Sequence, residues 1–154
     1  MNDFYLSSRS RSRLKGVHPH LINIVECAIQ ITEVDFTVLE GLRTESRQRH
    51  LVSIGASKTF DSRHLTGHAV DLGAWVTGGV RWDWPLYDLI AEAVWRASKD
   101  SGTPVVWGGA WGRLLTDFGS AAEAKDSYID SRRSIGKRPF LDGPHYELPR
   151  GKYV

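Results

Sequence analysis

The stretch from Ser62 to Val76 constrains this chain more than any other. Ser62-Arg-His-Leu-Thr-Gly-His-Ala-Val-Asp71 gathers two histidines, a carboxylate, a serine and a glycine, and runs straight into Leu72-Gly-Ala-Trp75. The second half is apolar and rich in strand formers, so Ala69 to Val76 reads as a buried strand. A polar cluster with metal-ligand chemistry therefore feeds into the inside of a sheet. Along a strand, side chains alternate between faces. Ala69 and Asp71 then share one face, and His68 and Val70 share the other. His64 lies upstream in a loop and is free to fold back towards Asp71. Gly67 and the strand after it argue against a helix that would put His64 and His68 side by side.

At 154 residues the chain fits one domain (residues 1–154) with a sizeable core. Its 41% apolar and 25% charged residues are those of a globular protein rather than a disordered one. A net charge of +2 is too weak to argue for nucleic acid, though it suits contact with an anionic polymer. The single cysteine, Cys27, excludes an internal disulfide and falls in an apolar helical pattern, which makes it a buried inert thiol. No apolar run approaches a membrane span, and the first residues lack the apolar core of a signal segment. The expectation is a chain made in, and at first kept in, the cytoplasm.

Taken in order, residues 1–15 read as a flexible basic arm, Ser/Arg-rich from Ser7. A helix starts at Pro19, with Leu21, Ile24, Val25, Ala28 and Ile29 on one face. Phe36 to Arg43 reads as a strand, and Thr44 caps a short helix to about Ser53. Thr77-Gly78-Gly79 is a hairpin turn with Val80-Arg81-Trp82 returning. A second long helix starts at Asp83 and Pro85 and stops at Gly102, with Leu86, Leu89, Ile90, Ala93, Val94 and Ala97 as its buried stripe. Pro104 to Trp107 is a short buried strand. Residues 112–137 read as a surface excursion, partly helical from Ala121 to Tyr128. Phe140 to Leu148 is a turn into a last strand. Mixed helices and strands without strict alternation predict an α+β fold, a mainly antiparallel sheet with helices packed on it.

Of the six histidines, His64 is the one placed to join Asp71. A catalytic zinc site takes three protein ligands and keeps one position open. The third ligand must come from elsewhere, and His145, at the start of the last strand, is the attractive choice. Asp142 lies three residues before it in Asp142-Gly-Pro-His145, where a tight turn would hold its carboxylate in reach of the metal's open position as a general base. The competing reading is that Asp142 only closes an Asp-Gly turn. Glu147, two residues after His145, is either an orienting partner or a structural charge.

Ser62-x-His64-x-x-Gly67-x-Ala69-x-Asp71 followed by Asp142-x-x-His145 resembles the D-alanyl-D-alanine/L-alanyl-D-glutamate zinc peptidases. The closer resemblance is to single-domain phage endolysins of that group. Leu14-Lys-Gly-Val-His-Pro-His-Leu21, Phe36 to Thr44 and Trp107-Gly-Gly-Ala-Trp111 are similar to further blocks of the family, in the same order. The resemblance implies the D-Ala-D-Ala peptidase/hedgehog-like zinc peptidase fold. It implies one Zn2+ held by His64, Asp71 and His145, with Asp142 as catalytic acid/base and Arg43 beside the reacting carbonyl. It places Ser62, His68 and Trp111 around the substrate, His68 at the cleft rim. A bland role for Arg43 is a surface ion pair.

The implied substrate is bacterial peptidoglycan, cut between L-Ala and D-Glu of the stem peptide by a monomer. Without a signal segment, such an endolysin waits in the host cytoplasm for a membrane pore and then reaches the cell wall. Two alternatives stand beside this reading. One is a D-Ala-D-Ala dipeptidase or carboxypeptidase of the same fold. The other is a non-catalytic, zinc-containing wall-binding module.

Overall fold

A computed structural model describes residues 2–154. The elements run α1 (Ser8–Arg13), α2 (Pro19–Ile31), β1 (Phe36–Glu40), α3 (Glu45–Ser53), β2 (Ala69–Val76), β3 (Gly79–Arg81), α4 (Trp84–Ser101), β4 (Val106–Trp107), α5 (Ala121–Ser134) and β5 (His145–Glu147). The sheet order is β1-β2-β5-β4, with β3 paired to β2, and every ladder is antiparallel. The architecture is the expected α+β one.

β2 is the axis of this sheet. Ala69, Val70, Leu72 and Ala74 are fully buried, so both faces of the strand are covered. One edge of β2 pairs with β1, and the other is shared between β5 at its start and β3 at its end. The β2–β3 hairpin turns on two residues, Thr77 and Gly78, with φ of 53° and 77°. Positive φ at both central positions matches the twist of the strands, which is why glycine takes one of them. The turn is one residue tighter than expected, and Gly79 already belongs to β3.

The predicted face of α2 is buried at every position: Leu21, Ile24, Val25, Ala28 and Ile29. It packs against α4, where Ile90, Ala93, Val94 and Ala97 are buried as expected. Leu89 is not; it is 38% exposed. Tyr87 takes its share of the buried stripe instead. The Tyr87 hydroxyl accepts from the Ala74 N–H at 3.1 Å and donates to the Arg81 carbonyl at 2.7 Å, which turns that side of α4 onto the hairpin. No helix among the described residues is long and apolar enough to cross a membrane.

Two further expectations fail. The flexible basic arm over 1–15 is instead ordered structure from residue 2, with Met1 outside the described residues. Ser7 caps α1. Ser10, 1% exposed, accepts from the Val38 N–H at 2.9 Å and bonds Thr37 Oγ1 at 3.0 Å, while Arg13 donates to the Val38 carbonyl at 2.9 Å. α1 thus covers the outer edge of β1, which would otherwise present unpaired backbone. Leu6 and Leu14 are buried beside it. Residues 112–137 are helical in part, as expected, but the segment is tied into the core rather than set apart from it. A 3-10 turn (Leu115–Asp117) and α5 pack on α4 through Leu115, Ala121, Ala124 and Tyr128. The helix extends past Tyr128 to Ser134.

Candidate active site

The ladder between β2 and β5 assembles the two halves of the site. Asp71 is the direct cross-strand partner of His145, from which 74 positions of sequence separate it. His64 arrives from a 3-10 turn, Arg63–Thr66, whose cap is Ser62 accepting the His64 N–H at 3.2 Å. Gly67 ends that turn with φ of 76°, and a side chain there would collide with the Gly16 carbonyl. Only glycine meets both demands. β1 adds a bulge: Val38 faces Leu72 and Glu40 faces Asp71, leaving Leu39 as the extra residue. The bulge brings Glu40 alongside Asp71.

His64, Asp71 and His145 each offer a ligand atom, all within 4.8 Å of one another. The hydrogen bonds on the far side of each ring set the tautomers. His64 Nδ1 lies 2.8 Å from the Gly41 carbonyl, which can only accept, so Nδ1 carries the proton and Nε2 keeps its lone pair. That Nε2 is buried, has no hydrogen-bond partner, and sits 3.3 Å from Asp71 Oδ1. His145 Nε2 donates to Glu147 Oε1 at 2.8 Å, and its Nδ1 is 3.2 Å from the same Asp71 oxygen. Two imidazole nitrogens and a carboxylate oxygen therefore converge on one point, each ring fixed by an outer acceptor. That is the donor set of a divalent metal site. Without a cation the charges must balance otherwise. Burial disfavours a charged His145, but Asp71 and Glu147 on either side outweigh it and push its pKa up to about 10. Burial also opposes ionisation of Asp71, and the His145 and His64 imidazoles overcome it, holding the carboxyl far below its usual range.

Asp142 lies in the wall of the same cavity, which has a volume of about 750 Å³. Its backbone is clamped. The Asp142 N–H donates to Gly108 and the Gly108 N–H to His145, at 2.9 and 2.8 Å; the Trp107 indole donates to the Gly143 carbonyl at 2.8 Å. A side chain on Gly108 would overlap the Asp142 carbonyl, so the Trp107-Gly108 strand end fixes this turn by close approach. The Asp142 carboxylate makes no hydrogen bond or ion pair with another described residue. Burial, and then the charge of Asp71, raise its pKa above the ordinary value.

Arg43 also lines the cavity, as an anchored cation. Glu40 takes its Nε and Nη2 at 2.6 and 2.9 Å, Gln48 accepts from Nη1 at 2.7 Å, and Nη2 reaches to 3.8 Å from Asp71 Oδ2. Ser62 and Trp111 line the cavity too. The Trp111 ring packs on His145 at 5.1 Å and on Phe140 at 6.3 Å, and its buried indole N–H has no acceptor among the described residues.

A family model described as phage L-alanyl-D-glutamate peptidase matches residues 2–149. The chain belongs to this family. It is 28% identical to the L-alanyl-D-glutamate peptidase of Escherichia phage T5, over 94% of this chain and 98% of that protein. It is similar in structure to the Serratia marcescens L-Ala D-Glu endopeptidase ChiX, with a TM-score of 0.75 and 38% identity, covering 98% of this chain and 95% of the other. This member of the phage L-alanyl-D-glutamate peptidase family is thus a single α+β domain with a His-Asp-His cluster consistent with a metallopeptidase.

His68 does not join this cavity. It is 8% exposed and faces His18, with ring centroids 5.5 Å apart, near Tyr153 at 6.5 Å. Its Nδ1 bonds Thr66 Oγ1 at 2.7 Å. Strand parity explains this: His68 is three positions from Asp71 and falls on the opposite side of the sheet. A place at the cleft rim is therefore corrected to a place in a histidine–tyrosine cluster behind it. Gln48 and Glu40 are residues of the site that sequence reasoning missed. Gln48, 1% exposed, is the one buried residue of α3, and a lone glutamine on a charged helix was the available signal.

Proposed function

We propose that this peptidase is a zinc-dependent endopeptidase that cuts the L-Ala–D-Glu bond of the peptidoglycan stem peptide. The observation that carries the reading is the pair of imidazole lone pairs converging on Asp71, with an unengaged carboxylate, Asp142, in the same cavity. His64, Asp71 and His145 would hold the metal and leave a position free. Bound there, zinc would act as a Lewis acid towards a peptide carbonyl and acidify a water molecule.

The chain's own residues do the rest. Asp142 accepts a proton from the attacking water and returns it to the departing amine. Its raised pKa suits a group that must both take and give a proton. Glu147 holds His145 in the tautomer that leaves Nδ1 free. Arg43, tied by Glu40 and Gln48, keeps a positive charge beside Asp71 and orients it, while its position in the cavity wall leaves it near a developing oxyanion. Ser62 caps the turn that presents His64. Trp111 forms the wall over His145.

The test is a digest of purified muropeptides with and without a chelator, read by mass spectrometry. A new N-terminal D-Glu that vanishes on chelation and returns with zinc supports the reading. Release of free D-Ala instead would move the cut to the D-Ala–D-Ala bond. As an endolysin, the protein would act from the host cytoplasm once the membrane is breached.

A further inference from the structure

A second, smaller cavity of about 270 Å³ opens beside the metal site. It shares Trp82, Asp142 and Pro144 with the main cavity, so the two adjoin at the proposed base. Its remaining walls are Trp84, Tyr87, Leu141 and Gly143. Trp82 is 61% exposed, and its ring lies parallel to Tyr87, at 3° and 6.0 Å. The Tyr87 hydroxyl is fixed by two backbone groups of the β2–β3 hairpin. Trp82 is thus an exposed ring in the groove wall, set parallel to a Tyr87 that the hairpin holds.

The two cavities differ in the cations they offer. The main one carries carboxylates as well as cations in its wall: Arg43 is paired with Glu40 and Arg150 with Asp61, whereas Lys58 has no carboxylate partner among the described residues. The smaller one has no basic side chain in its wall. Lys125 lies over the Trp84 ring at 5.0 Å but is paired with Asp88 at 2.6 Å.

The proposed substrate is divided in the same way. Beyond the scissile bond it carries the free carboxylate of D-Glu and those of the residues that follow. Before the bond there is one alanine, roughly 3.5 Å of extended chain, joined through a lactyl ether to an uncharged N-acetylated amino sugar. The anionic half matches the unpaired ammonium of Lys58 in the main cavity, which leaves the sugar half for the aromatic groove. A pyranose presents axial C–H bonds to the electron-rich face of an indole, the contact that an exposed Trp in a groove wall offers.

Resting on the function proposed above, we propose that the groove floored by Trp82 is a saccharide subsite that binds the amino sugar bearing the stem peptide. The enzyme then prefers peptides still attached to glycan over peptides already released from it.

The experiment compares kcat/KM on a disaccharide-linked tetrapeptide and on the same tetrapeptide carrying only an N-acetyl cap. The unmodified enzyme should favour the linked substrate about three- to tenfold, the range of a single aromatic contact. Trp82→Ala should bring that ratio to near one, with the change in KM, and Trp82→Phe should keep most of the preference. An unmodified enzyme that cuts the capped peptide with no preference overturns the subsite and leaves the peptidase reading standing. A ratio unchanged in a folded Trp82→Ala variant overturns it as well. An unmodified enzyme that cuts neither peptide overturns both.

Discussion

His145 is held between two carboxylates, and this decides how the metal-free protein responds to pH. Its folded pKa is raised to about 10, so protonated His145 contributes stability that is complete below its unfolded value near 6.5. That contribution is lost as pH rises through about 10. The chelated protein should therefore show a falling thermal midpoint from neutral pH to about 10, measured by circular dichroism, while the metal-loaded protein should not follow that slope. Glu147→Ala removes the acceptor that sets the His145 tautomer and should weaken metal binding roughly 10- to 100-fold, read by competition with a chromophoric chelator; Glu147→Gln should recover part of it. Asp142→Asn should keep its metal and lose roughly 10²- to 10⁴-fold in turnover, whereas His145→Ala should lose both. Wild-type turnover in Asp142→Asn would remove Asp142 from the mechanism. Much of this residue-level picture was legible beforehand, because strand parity puts Asp71 on one face and leaves His64 free to join it. The same parity puts His68 on the other face, against the rim position that the resemblance implied. Glu40 was hidden, since the Leu39 bulge changes the parity of β1 just before it.

α1 shows why some elements escape a reading of hydrophobic pattern. A helix that lies on a sheet face needs an apolar stripe, and α2 and α4 display one. A helix that lies along a strand edge needs hydrogen-bonding groups, and α1 offers Ser10 and Arg13 to the backbone of Val38. Its Ser/Arg composition therefore looks like a solvated arm. Ser10→Ala should leave the Val38 N–H buried without a partner and cost about 1–3 kcal/mol, seen as a lower midpoint in thermal melts. Ser12→Ala, at an exposed position of the same helix, should melt like the parent. α5 was only half legible for a related reason. Its buried positions are Ala121, Ala124 and Tyr128, and small residues give little periodic signal even where they pack closely.

At the scale of the whole molecule, a metal ion would bind the folded chain and not the unfolded one, since its ligands meet only when β2 and β5 pair. Metal at 1,000 times its dissociation constant should add about 4 kcal/mol, and chelation should lower the midpoint by roughly 8–16 °C for a chain of this size. A midpoint indifferent to chelator would detach the site from the fold. The exposed run from Arg133 to Arg138, turning at Gly136 with φ of 72°, has a different kind of consequence. It separates a large body that holds His64 and Asp71 from a short tail that holds Asp142 and His145. A single proteolytic cut in that turn would divide the proposed metal ligands and base between two pieces. Such parts could be made separately and brought together by strand pairing, with a bound metal as the clasp.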